Sequence, residues 1–329
     1  MKKIVLRADA GKKTGYGHFI RSLALADYLK NDFECYFASF NSDISDGQFS
    51  DYQRQEICGV CSPWECGGNS LEEFDRNFSN SLHDVDIVVL DNYYFSTLYQ
   101  ELIRNKGHKL VCIDDLHDRH MVCDLLMTGC PLKKEDFSVE TYTRFIGGME
   151  WSLLRPPFLQ SMPFRNIRSK VTKVVTAMGG ADAFNLTDKM IEVIHRALPE
   201  VVIYVIAGDT AKVSYSDSSF VKIFHRLSAE EIVQLFDEAD FGVFPASTIC
   251  KEAYARKLPV VAGYYVDNQR ESYEYGRRND LFRPLGCFFD DSDILVGRLK
   301  QIVETDRPLP TVIDFRSQRE KIVKIFHQL

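Results

Sequence analysis

The sequence predicts an α/β protein of two Rossmann-like, doubly wound parallel-sheet domains facing a cleft. Three observations predict it. A length of 329 residues exceeds the usual single-domain range. Short apolar runs alternate with helical stripes in both halves, the pattern of βα units. Each half also opens with a strand, a glycine-containing turn and a helix. Residues 155–168 hold Pro156, Pro157 and Pro163 and no periodic pattern, which marks a linker. The expected domains are 1–158 and 165–329, with the amphipathic last segment, 315–329, open to packing back on the first domain.

In the first half, Lys3–Arg7 is a β-rich run. The stretch 17–30 follows, with Phe19, Ile20, Leu23, Ala24, Ala26 and Leu29 as a helical stripe. Runs at 34–39, 85–91 and 109–114 read as buried parallel strands, with a helix over 98–105 between the last two. The pattern restarts at Val171. A strand over 173–178 leads to Gly179-Gly180 and a helix over 186–198 that stops before Pro199. Further strands are expected at 201–207, 221–224, 241–244 and 259–264. Helices are expected over 228–239, where Ser228 and Glu231 form a capping box, and over 249–257.

Composition removes several function classes. Formal net charge is −7, from 47 acidic and 40 basic residues, so no nucleic-acid partner is expected. The apolar stretch Ile4–Leu6 is too short for a signal peptide, and no run approaches the roughly 18 residues of a membrane span. A cytoplasmic protein without a membrane partner is expected. Cys58, Cys61 and Cys66 sit close together but lack a fourth ligand at suitable spacing, so neither metal nor cofactor is expected. Oligomeric state is left open.

Four loops carry candidate chemistry, and each follows a strand, where open α/β sheets bind ligands. In the first, Gly15 and Gly17 allow close backbone approach and His18 falls in the first turn of a helix. The helix dipole there disfavours imidazolium, the state a general base must avoid. In the second, Gly179-Gly180 lets backbone approach a ligand. In the third, Ser247 and Thr248 open a helix whose N-terminal amides, Ile249 included, suit a diphosphate, and Glu252 is placed to accept ribose hydroxyls. In the fourth, Asn268 and Gln269 offer amides to a sugar. Taken singly, each is equally a turn, a cap or a polar loop. A dinucleotide fingerprint fits poorly, because Ile20 occupies the third glycine position.

Together the loops look like a known family. Arg7, Asp9, Gly15, Gly17, His18, Arg21, Leu23, Leu25 and Ala26 keep a spacing that resembles the UDP-2,4-diacetamido-2,4,6-trideoxy-β-L-altropyranose hydrolases of pseudaminic acid biosynthesis, enzymes of the glycosyltransferase-B fold. Asp91-Asn92-Tyr93, Asp114-Asp115, the GMEWSLLRPPF segment at 148–158, Met178-Gly179-Gly180 with Asp182, residues 246–253 and Asn268-Gln269 extend the likeness over nearly the whole chain. The resemblance implies that His18 activates water and that residues 246–252 hold UDP. It implies that Asp9, Gly15, Gly17, Arg21, Tyr93, Asn268 and Gln269 contact the rest of the substrate. Gly11, Thr14 and Lys251 depart from the family pattern.

The function this resemblance implies is hydrolysis of a UDP-linked diacetamido-trideoxy sugar to free sugar and UDP in pseudaminic-type acid biosynthesis, water attacking the anomeric carbon with His18 as base. The alternatives are a glycosyltransferase of the same fold using a UDP-sugar donor and a non-catalytic nucleotide-sugar-binding protein. An NAD-dependent oxidoreductase is a more distant one.

Overall fold

The computed structural model describes residues 1–10, 16–40, 52–57, 78, 80, 82–161, 170–179, 182, 184–208, 211, 213–215, 218–305 and 313–329. These form two compact units, Met1–Arg155 with Phe315–Leu329, and Pro156–Asp314.

The first unit is a seven-stranded sheet. Its strands are β1 (Lys3–Ala8), β2 (Glu34–Phe40), β3 (Gln53–Ile57), β4 (Ile87–Asp91), β5 (Lys109–Ile113), β7 (Leu125–Thr128) and β9 (Arg144–Gly147). The two-residue strands β6 (His120–Met121) and β8 (Ser138–Val139) pair separately. Strand order is β3-β2-β1-β4-β5-β7-β9, and every pairing is parallel. Helices cover both faces of such a sheet, so its central strands are apolar throughout rather than alternating. IVVLD in β4 is buried at all five positions, whereas RFIG in the edge strand β9 is not.

Helix α1 (Gly17–Leu29) follows β1, and α2 (Thr97–Asn105) follows β4 with Ser96 accepting from the Tyr99 amide as its N-cap. The chain's last helix, which becomes α8 below, returns to this unit. There Phe326 meets Phe33 edge-on at 6.3 Å, His327 Nε2 lies 3.1 Å from Asp32, and Arg319 sits over the Tyr28 ring.

The second unit repeats the arrangement. Its strands are β10 (Lys173–Thr176), β11 (Val202–Ala207), β12 (Val221–His225), β13 (Phe241–Pro245), β14 (Val260–Tyr264) and β15 (Arg283–Cys287), ordered β12-β11-β10-β13-β14-β15 and all parallel. The helices are α3 (Leu186–Ala197), α4 (Ala229–Glu238), α5 (Thr248–Ala255), α6 (Arg270–Arg278) and α7 (Ser292–Thr305), and then α8 (Arg316–His327) of the first unit. Ser228 and Glu231 form the reciprocal capping box at the start of α4.

The expected fold class holds in both units, and the strands and helices read from periodicity appear within a few residues of their expected bounds. Several elements were not anticipated. RPLGC in β15 contains Pro284 and Gly286, which obscure a strand pattern. An edge strand tolerates Pro, and the register irregularity beside it coincides with φ +103° at Gly286. Helix α6 buries only Tyr273 and Gly276, so it shows no apolar stripe. Among the described residues, no helix is long and apolar enough to cross a membrane.

Candidate active site

In the first unit the strand order reverses between β1 and β4, and a crevice for ligands opens at such a switch point. Ala8 and Asp91 are paired neighbours at the carboxyl ends of these strands, and α1 begins one loop beyond β1. His18, Arg21 and Ser22 stand at i, i+3 and i+4 of α1, hence on one face, and that face meets Asp91. His18 Nδ1 lies 2.7 Å from Asp91 Oδ1. Arg21 donates from Nη2 to Oδ1 at 2.6 Å and from Nε to Oδ2 at 2.8 Å, and Ser22 donates its hydroxyl to Oδ2 at 3.0 Å. Arg21 Nη1 reaches Asp115 at 3.0 Å. The Tyr93 ring stands edge-on to the imidazole, centroids 4.3 Å apart.

The charges of this cluster decide its proton positions. Burial pushes the Asp91 carboxyl up, but the Arg21 guanidinium and then His18 outweigh it, and the pKa falls below the ordinary carboxylate value. An ionised Asp91 only accepts hydrogen bonds, so the His18 nitrogen facing it, Nδ1, carries the proton. Arg21 Nη2, 3.0 Å from Nδ1, is a second donor converging on the same oxygen. In the neutral imidazole the other ring nitrogen, Nε2, then keeps its lone pair. That is a base oriented and backed by a carboxylate, the arrangement that stabilises imidazolium as it forms.

A second buried cluster lies beside it. Arg7, fully enclosed at the end of β1, donates to Asp9 at 2.5 Å and to the Tyr94 hydroxyl at 2.8 Å, and Tyr94 donates to the other Asp9 oxygen. The guanidinium lies over the rings of Phe78, Tyr94 and Phe95. Asp9, expected to meet substrate, thus has both carboxylate oxygens engaged within the protein. Arg21 is likewise occupied by Asp91 and Asp115. Asp114 accepts from the amides of Leu116 and His117 at 3.2 and 2.8 Å, and burial holds its carboxyl above the usual value. Among the described residues, nothing lies within 4 Å of where a Cβ on Gly17 would sit. Gly15 lies outside the described residues, as do Gly180 and Cys58, Cys61 and Cys66.

The switch point of the second unit falls between β10 and β13. Gly179, just past β10, has φ +94°, a conformation that favours glycine. Asp182 accepts from the amides of Leu186 and Thr187 at 2.8 and 3.1 Å and so caps the start of α3. Past β13, Ser247 occupies the N-cap position of α5, but its side chain makes no capping hydrogen bond, contrary to the expected cap. Thr248 and Ile249 form the first turn and Glu252 is buried in the second. Past β14, Gln269 is buried and accepts from the Tyr265 amide at 3.1 Å, while Asn268 is exposed. Asp91 is the residue that sequence reasoning left out of the site. Its signal was an aspartate closing an otherwise apolar strand, adjacent to the strand that leads into the His18 loop. Among the described residues, no group of three or more His, Cys, Asp or Glu side chains is placed to hold a metal ion.

No family model matches the sequence. The chain is 25% identical to an uncharacterized protein of Methanocaldococcus jannaschii over 92% of its own length, and it spans 65% of that relative. It is also 25% identical to UDP-2,4-diacetamido-2,4,6-trideoxy-β-L-altropyranose hydrolase of Campylobacter jejuni, over 82% of this chain and 94% of the relative. Solved structures match the whole chain. MurG of Acinetobacter baumannii does so with a TM-score of 0.66 at 12% identity, each chain covered completely. The calicheamicin glycosyltransferase CalG4 gives 0.58 at 12% identity, covering 99% and 94%. The spinosyn rhamnosyltransferase SpnG, with thymidine diphosphate, gives 0.59 at 12% identity, covering 100% and 96%. The fold is the glycosyltransferase-B fold.

The structural matches, unlike the C. jejuni relative, correct the expectation of a UDP-sugar hydrolase, because CalG4 and SpnG are both named as enzymes that transfer sugars. The physical reason is plain. A histidine backed by a carboxylate takes a proton from an alcohol as readily as from water. The preference for water rested on the family resemblance and not on the residues.

Proposed function

We propose that the protein is a glycosyltransferase that uses a UDP-sugar donor. The observation that carries this reading is the hydrogen bond between His18 Nδ1 and Asp91, within a unit of glycosyltransferase-B fold. His18 Nε2 removes the proton of an acceptor hydroxyl as its oxygen bonds to the anomeric carbon. The bond from that carbon to the diphosphate breaks, and UDP leaves with the electron pair. Imidazolium is held by the Asp91 carboxylate until the proton passes to solvent. Arg21 and Ser22 position Asp91, Arg7 and Asp9 brace the adjoining loop, and Tyr93 limits the tilt of the imidazole.

The nucleotide belongs to the second unit. Backbone amides of Ser247, Thr248 and Ile249 at the start of α5 take the diphosphate, where helix dipole and unsatisfied N–H groups favour negative charge. Gly179 lets the backbone close on it, Glu252 accepts the ribose hydroxyls, and Asn268 and Gln269 address the sugar. The C. jejuni relative's name, which specifies a UDP-linked sugar, supports uridine as the nucleoside. The test is acceptor dependence. A panel of UDP-sugars is incubated with and without a panel of sugar and phenolic alcohols while UDP is measured. UDP release that requires an alcohol, with a glycoside as product, is the expected result. Release at the same rate in its absence would overturn the proposal.

A further inference from the structure

Three aromatic rings cluster at the carboxyl end of the second sheet. Phe184 comes from the loop after β10, Tyr265 from the loop after β14 and Phe289 from the loop after β15. Phe184 meets Phe289 edge-on, centroids 5.4 Å apart at 88°, and meets Tyr265 at 5.8 Å. Phe184 and Phe289 are each 52% exposed, while the other exposed large apolar side chains among the described residues of this unit, Tyr275 and Ile294, lie within helices. Two phenylalanines from separate loops, held together yet half in water, forgo burial that a lone surface residue would not draw attention to.

The pair is fixed to the candidate donor loops. The Tyr265 hydroxyl donates to the Met178 carbonyl at 3.2 Å, next to Gly179, and a Cβ on Gly179 would lie 3.4 Å from the Tyr265 hydroxyl oxygen. The Tyr265 amide is held by Gln269, adjacent to Asn268. The rings therefore adjoin the two loops assigned to phosphate approach and to the sugar. An aromatic face attracts C–H groups and offers no partner to a hydroxyl.

We propose that Phe184 and Phe289, with Tyr265 behind them, form the subsite for an apolar substituent of the donor sugar, such as an N-acetyl methyl group. This rests on the donor reading above. Burying one methyl group is worth about a factor of four in affinity. Calorimetry with UDP, UDP-glucose and UDP-N-acetylglucosamine, on the wild type and on the Phe184→Ala/Phe289→Ala variant, tests it. The wild type is expected to bind UDP-N-acetylglucosamine roughly three- to tenfold more tightly than UDP-glucose. In the variant the ratio falls to about one while UDP affinity is unchanged. Phe184→Leu/Phe289→Leu, which keeps apolar bulk, should retain part of the preference. A wild-type ratio of one, or an undiminished ratio in the alanine variant, overturns the subsite. An equal loss for UDP itself overturns it too, because the rings would then hold the nucleotide. Failure of the wild type to bind UDP at all would instead overturn the donor reading.

Discussion

At the carboxyl end of the first sheet, Asp91 collects hydrogen bonds from an imidazole, a guanidinium and a hydroxyl. At the same end of the second sheet, Asp182 collects two backbone amides and serves as a helix cap. The first unit places ionised side chains in a dry setting, where each charge is met by another. The second presents backbone dipoles, a positive-φ glycine, amides and aromatic faces. One topology thus yields two kinds of site. Paired charges in low dielectric suit proton transfer, whereas fixed N–H groups suit an anion that brings its own charge.

The comparison can be broken by substitutions on either side. His18→Asn should lower kcat by roughly 10²–10⁴ and leave UDP affinity nearly unchanged, as measured by steady-state kinetics beside calorimetry. Equal losses in both would merge the two roles. Asp91→Asn should cost about 3–5 kcal/mol of stability, because it leaves a buried Arg21 partly unpaired. It should also alter the acid limb of stability. The Asp91 pKa is depressed on folding, so its contribution is present above the unfolded value of about 3.9 and is lost as pH falls through the folded value. Urea melts below about pH 4 should therefore be flatter for the variant than for the wild type.

Effects in the second unit should be smaller and should appear in binding or local stability. Glu252→Ala should weaken UDP by about 1.5–3 kcal/mol, the range for hydrogen bonds to a charged group, and wild-type affinity in calorimetry would remove Glu252 from the site. The smallest contrast sets two helix starts against each other. Asp182→Ala should lower stability by ~1–2 kcal/mol through loss of a cap, whereas Ser247→Ala, whose side chain makes no cap bond, should stay within ~0.5 kcal/mol in thermal melts.

Legibility in the sequence followed the same division. The parallel strands announce themselves as apolar runs such as IVVLD, because both faces are covered, and α1 shows its stripe plainly. Elements with little to bury, α6 and the Pro-containing β15, carry no such pattern. Helix α7 does carry one, at Leu295, Val296, Leu299 and Ile302. For the site, loop positions could be placed by their strands, but partnership could not. That Arg7 takes Tyr94 and that Arg21 takes Asp91 depends on which strands lie side by side, a long-range fact that local spacing does not hold. Nor does spacing distinguish a proton taken from an alcohol from one taken from water.

The return of α8 to the first unit has a consequence for synthesis. The ribosome makes residues 156–314, the whole of the second unit, before it makes the helix that covers Phe33 and Tyr28. At roughly 5–20 residues per second, the first unit waits many seconds with that apolar face in water. The second unit, continuous in sequence, has every segment it needs as soon as Asp314 emerges. Chaperone dependence during translation should therefore trace to the uncovered face of α1.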